Sequence, residues 1–463
     1  MRSTILILLL SALGCTTAAI PATPAAPDEV PKPDAAARAK PTREGHDWPR
    51  FLGPNGDGSS PETGILKTWP KDGLKKVWDC PLGIGYSPPA VANGRLFHFD
   101  RFGEKARITC RNSETGELIW KTEYATEYED LYGYDSGPRA CPVVDDDRVF
   151  IHGADGLLAC LNVADGKEIW KVDTRAKYRF HQNFFGAGSA PLVDGDLLIV
   201  PIGGSPKGPR PGDLRDAKGD GSAIVAFDKK TGAVKYAFGD ELASYSSPTI
   251  ATIGGNRVGL YFARGGLVGF DPQAGKQHFH YPWRSKTLES VNAANPVVDG
   301  DKVLLSECYE IGSALVKITA DLKVQPVWND KAKDRGEQSL MSHWCTPIAV
   351  DGYVYGCSGR HTNEADIRCV KLETGEVIWE ERRTTRVMLT RVDGHLLSFS
   401  EAGELRLIKI NPKKYEEVAR WEVPGVSYPS WGMPVISRGL VYIRGKDEND
   451  KNAHKLLCFE LKR

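Results

Sequence analysis

The chain has no Cys-Cys pair, no Cys-x-x-Cys, only four methionines and no surplus of either charge, with 60 Lys and Arg against 60 Asp and Glu. The missing cysteine spacings exclude the usual zinc clusters and a covalently attached haem, and no metal site is assigned. Zero net charge argues against a nucleic-acid partner, which calls for a basic footprint. Gly-x-Ser-x-Gly and a Ser/His/Asp arrangement are also missing, so nothing points to nucleophilic hydrolysis. Beyond the N-terminus no apolar run is long enough to span a bilayer, which leaves no transmembrane segment in a mature chain. Glycine, by contrast, is abundant at 48 residues, in a chain that is 41% hydrophobic. That composition describes a loop-rich globular protein with ample material for a core.

The glycines are spaced. A turn ending in Gly, followed four residues later by an aromatic ring, recurs as Asn112 to Trp120, Asn162 to Trp170, Asp228 to Tyr236, Asp271 to Phe279 and Lys371 to Trp379. In four of the five the phrase opens on Asn or Asp, which suits a tight turn; in all five Gly takes positive φ and a β-rich run ends on the ring. A second phrase is a small residue, Pro, an apolar triplet and a Gly or Asp turn. It appears at Pro88, Pro142, Pro191, Pro248, Pro296, Pro347 and Pro434, with a copy lacking Pro at Met388 to Gly394. Eight copies of about 45 residues predict an all-β, eight-bladed β-propeller of four-stranded antiparallel blades. A seven-bladed Trp-Asp ring is disfavoured, because Trp-Asp does not recur at the blade ends.

The ends of the chain predict closure. The last copy stops near Leu461 without an outer strand, and an orphan strand, Leu74 to Trp78, precedes the first. Pairing the two removes exposed edges. Upstream, Met1-Arg2 and the apolar run Ile5 to Leu13 read as a secretory signal over residues 1–19. Two fates are open: cleavage among Thr17, Ala18 and Ala19, or lipid attachment at Cys15, since Ala12-Leu13-Gly14-Cys15 resembles a lipobox with Ala where Leu is usual. Residues 20–45 are Pro/Ala-rich and read as a spacer, leaving 46–463 for the propeller. The expectation is an exported, periplasmic or cell-envelope protein, monomeric, with a lipid anchor as the open alternative.

Of the ten cysteines, Cys110, Cys160 and Cys369 share one repeat position with Ala226 and Gly269, and Cys458 matches them in the last blade. A position that accepts Cys, Ala or Gly is a tight small-residue site, so these thiols are expected to fill space, as are Cys141 and Cys345 beside the axial Pro.

The Asx-x-x-Thr/Asp-Gly-x-x-Ile-Trp phrases resemble the tryptophan-docking repeats of quinoprotein dehydrogenases, and Asp47-Trp48-Pro49-Arg50-Phe51-Leu52-Gly53-Pro54-Asn55-Gly56-Asp57-Gly58 is similar to the opening of exported PQQ-like repeat proteins, a family that includes relatives of BamB. The resemblance covers about Trp48 to Leu461. It implies that Trp78, Trp120, Trp170, Tyr236, Phe279 and Trp379 stack between neighbouring blades. Enzymes of this kind clamp pyrroloquinoline quinone (PQQ) against a disulfide of adjacent cysteines, hold Ca²⁺ with oxygen ligands and use an Asp base. No position here matches those parts by motif, so no cofactor is assigned, with PQQ and calcium kept as the alternative.

If there is a site, it belongs where the loops joining an outer strand to the next inner strand converge. These loops are aromatic, and their polar members are Arg139, His181, Asn183, Arg284, Asn292, His343 and Arg386, with Trp344 and Trp431 beside them. Rings with guanidinium and amide groups at a funnel mouth suit a protein segment, a polysaccharide or a small ligand. The favoured function is a non-catalytic binding or scaffold module; the alternative is a PQQ-dependent dehydrogenase of alcohols or sugars. Asn55 to Ser59 imitates a calcium loop but lacks the closing glutamate, and Gly203 to Gly212 lacks the helix of a phosphate cradle.

Overall fold

The structure, a computed structural model, describes residues 40–180, 182–206, 217–450 and 453–462. The leader, the candidate lipidation site Cys15, most of the 20–45 spacer and His181 lie outside the described residues. Eight antiparallel sheets follow one another along the chain and form an eight-bladed β-propeller. In blade 1 the strands run Ala90–Ala92, Arg95–Phe102, Lys105–Asn112 and Leu118–Ala125 from the axis outwards. The Pro of the second repeat phrase stands just before each inner strand, where its missing N–H costs no ladder bond. Blade 7, which lacks that Pro, has a longer inner strand, Val387–Val392, and its axial edge takes up Ser59–Ser60 in parallel.

The N-terminal strand closes the ring. Lys76–Leu82 pairs antiparallel with His454–Glu460 as the outer strand of blade 8, with Trp78 opposite Cys458. Its register lies slightly later than the sequence suggests, and Leu74 is buried just ahead of it.

Neighbouring blades are joined by the outer-strand rings. The indole N–H of Trp78 donates to Ser113 O at 3.0 Å, Trp120 to Val163 O at 2.9 Å, Trp170 to Lys229 O at 3.1 Å and Trp379 to Asn411 O at 2.9 Å, each acceptor lying in the next blade. Tyr236 does the same through its hydroxyl, to Pro272 O at 2.7 Å, while Phe279 packs without a polar tip. The ring then covers the next blade's turn glycine: a Cβ on Gly116, whose φ is +75°, would lie 2.7 Å from the Trp78 ring. In all eight blades the ladder between third and outer strand slips by one residue beside this position. Such a bulge re-aims the ring out of the sheet and towards its neighbour.

Two docking rings escape the phrase, Trp328 and Trp421. Trp328 donates to Leu372 O at 2.8 Å, and its turn bends at Leu322, φ +60°, instead of at Gly. The small repeat position is explained by register: Cys110, Cys160, Ala226, Gly269, Cys369 and Cys458 sit directly across the strand pair from Trp120, Trp170, Tyr236, Phe279, Trp379 and Trp78. The nine described cysteines are buried thiols outside any disulfide, and burial pushes the Cys160 thiol up to about 12.

The opening motif closes one end of the axis. Trp48, 1% exposed, bridges Val91 in blade 1; Pro49 O accepts from Val144 N in blade 2 at 2.8 Å; and Gly58 O accepts from Arg391 N in blade 7 at 2.9 Å. Residues 48–58 therefore cross the inner strands from one side of the ring to the other. Asn55 to Ser59 is a turn in this crossing, with Asp57 accepting from Ser59 N at 2.9 Å.

Candidate functional site

Antiparallel alternation sends the outer-to-inner loops and the turns between second and third strands to one mouth of the ring; the glycine turns face the other. At the first mouth these segments enclose a cavity of about 340 Å³. Phe51, carried in by the crossing segment, is shared with a small void of about 20 Å³ beyond it and forms the floor. The site is a cup.

Aromatic rings make its walls. Trp431 stands 4.8 Å from Tyr86 and 5.0 Å from Trp344 between centroids. Opposite, Phe185 lies 5.4 Å from Tyr245 and 5.8 Å from Tyr132. Tyr134 spans the two groups, 5.9 Å from Phe185 and 5.3 Å from Trp431.

Five residues singled out in the sequence line this cup: Arg139, His343, Trp344, Arg386 and Trp431. Arg386 is locked to the buried Glu401, with Nη2 to Oε2 at 2.7 Å and Nε to Oε1 at 3.1 Å, and Glu401 also accepts the Trp431 indole N–H at 2.9 Å. Burial alone would raise the Glu401 carboxyl, but the bonds from Arg386 outweigh it and hold the group low. Burial first, and Arg386 second, push His343 down to about 3, so its imidazole is neutral. Arg139 is held by Asp130 at 2.6 Å and faces the Tyr86 and Tyr128 rings at 5.6 and 5.5 Å.

Three other choices do not line the cup. Asn183 accepts from Arg264 at 2.9 Å and donates to Ala243 O at 3.3 Å; Asn292 donates to Ala263 O at 2.7 Å; Arg284 donates to Leu288 O at 3.1 Å. Each ties loop backbone together behind the wall. The converse also holds: Phe51, Tyr86, Tyr309 and Arg360 line the cup without having been singled out. Tyr309 and Arg360 follow second strands, Lys302–Glu307 and Tyr353–Ser358. Strand parity places those turns at the same mouth as the outer-to-inner loops, a signal the sequence carries.

A ring of eight four-stranded blades stapled by aromatic docking is a PQQ-like repeat propeller. The chain belongs to the family described as outer membrane protein assembly factor BamB, whose sequence profile matches residues 68–205 and 104–381. BamB of Shewanella oneidensis is 33% identical over 132 residues, covering 27% of this chain and 30% of that protein, so the match spans under a third of the curated relative. Among solved structures, BamB from Moraxella catarrhalis superposes with TM-score 0.54 at 14% identity, over 83% of this chain and 97% of the other. Quinohemoprotein alcohol dehydrogenase from Comamonas testosteroni reaches 0.63 at 12% identity, over 94% and 83%. These likenesses establish the fold.

Proposed function

We propose that this chain is a non-catalytic binding module of the cell envelope, whose aromatic cup presents a loop-built face to a ligand or partner. The carrying observation is the state of the acids around the cup. Glu401 and Asp130 are each committed to an arginine, and Glu289, exposed, is the one acid among the described residues that line the cup. Calcium of the quinoprotein kind needs several convergent oxygen ligands, and among the described residues no group of three His, Cys, Asp or Glu is set to hold a metal. The donor set does not fit a calcium-bound quinone with a free carboxylate base. The sequence matches to proteins named as outer membrane protein assembly factors, and the leader-like N-terminus, support an envelope role with a protein partner.

The test is titration of the purified mature protein with PQQ and Ca²⁺, following tryptophan fluorescence and dye-coupled oxidation of alcohols. The expected outcome is no turnover. Saturable quenching with dye reduction would overturn the reading in favour of the dehydrogenase.

A further inference from the structure

Several hydrogen-bond donors in the cup have no acceptor among the described residues, and three of them are hydroxyl or guanidinium groups suited to an anion. Arg386 can only donate, so its 3.4 Å contact makes His343 Nδ1 the acceptor and leaves the imidazole proton on Nε2. That N–H faces the Tyr309 hydroxyl at 3.0 Å, so the hydroxyl oxygen accepts and its own proton is free for another group. Across the cup the Tyr245 hydroxyl accepts two backbone N–H bonds, from Phe184 at 3.1 Å and Phe185 at 2.7 Å, and its proton is free by the same argument. The third donor is Arg360. Its guanidinium rests 4.4 Å above the Tyr309 ring and pairs with no described carboxylate. Arg139 and Arg386, by contrast, are neutralised.

A sugar brings hydroxyls that must donate as well as accept, and this cup offers few acceptors beyond the rim carboxylate of Glu289. A carboxylate accepts only, and one beside an apolar body matches both the donors and the walls. The apolar surface also continues outwards: Leu131, Tyr132, Tyr134 and Tyr428 are 46%, 51%, 46% and 52% exposed, with Leu131 to Tyr134 on the loop over the cup and Tyr428 on the loop leading to Trp431. Exposed rings around a cup mark a partner larger than the cup itself. We infer that the cup receives an aromatic side chain of an acidic peptide segment from a protein partner, with the adjoining carboxylate taken by Arg360 and the Tyr309 hydroxyl and the Tyr245 hydroxyl left for a second acceptor on the segment. This deepens the binding-module reading and rests on it.

The experiment is calorimetric titration of the full chain with acetyl-Gly-Ser-Phe-Glu-Ser-Gly-amide and with its Gln analogue. The Glu peptide is expected to bind about ten-fold more tightly, the difference a charged hydrogen bond supplies. Arg360→Gln should erase that difference, and Tyr309→Phe, which keeps the ring, should shrink it. Equal binding of the two peptides to the wild-type protein would overturn the carboxylate site while leaving the cup a binding module. Binding of neither peptide at millimolar concentration would overturn this inference, while the binding-module reading is decided separately by the quinone titration.

Discussion

At the scale of single residues, a few side chains carry consequences out of proportion to their size. Replacing Trp120 by Ala empties the space over the next blade's turn and orphans Val163 O, at a cost of about 3–5 kcal/mol. Trp120→Phe keeps most of the ring and loses the hydrogen bond, about 1 kcal/mol; urea denaturation of both variants separates the two contributions. Glu307 supplies a pH-dependent counterpart. It is 1% exposed, Oε1 accepts from Ser290 at 2.7 Å, Oε2 has no partner, and burial raises its carboxyl from 4.5 to about 7, with Arg284 offsetting part of the rise. A raised carboxyl contributes its full stability below pH 4.5 and loses it as pH climbs through about 7, a change of about 3 kcal/mol. Glu307→Gln is therefore expected to raise the melting temperature at pH 8 and leave it unchanged at pH 4.5, which thermal scans at the two pH values check.

At the scale of elements, the turn glycines and the ion pair behind the cup are the points to probe. Gly116→Ala sets a methyl against Trp78 at positive φ, and should cost more than 1 kcal/mol. Gly336→Ala, with nothing within 4 Å, should stay within about 0.5 kcal/mol in the same denaturation assay. Glu401→Gln leaves Arg386 buried and unpaired beside Trp344 and Trp431, and should destabilise by about 3–5 kcal/mol, again read from the midpoint. Elements of this kind were the legible part of the sequence, because the glycine, the aromatic and the Pro each answer a local geometric need that repeats. The irregular copies were not legible. Trp328 and Trp421 dock without a preceding Gly, since Leu322 can itself adopt positive φ and the Asn411 turn needs none. Asn183 and Asn292 look like ligand contacts in sequence, yet their amides are consumed by backbone carbonyls, a choice that depends on three-dimensional neighbours.

At the scale of the whole molecule, four histidines held neutral, three buried and His343 in the cup wall, set the acid limit. Burial first of all pushes His343 to about 3, His152 and His454 to about 4, and His98 well below its ordinary range. A histidine lowered in this way contributes fully above pH 6.5, and its contribution is lost as pH falls towards the folded value, because the unfolded chain takes up the proton. Denaturation midpoints are expected to drop steadily from pH 6.5 to pH 4, with His152→Asn less sensitive than the wild-type protein. The number and order of the blades were readable from the repeats alone; that the opening motif crosses the axis and turns a channel into a cup was not, since nothing in its residues names the inner strands it meets.

The pairing of Lys76–Leu82 with His454–Glu460 also constrains the order of assembly. Lys76–Leu82 leaves the ribosome before the blades that lie between it and His454–Glu460, so it waits without its ladder partner while they are made. Contacts between such distant parts of a chain form slowly, and an edge left open invites pairing with another molecule. Loss of His454–Glu460 alone would take the third strand out of blade 8 and leave the circle unable to shut, with all seven other blades intact.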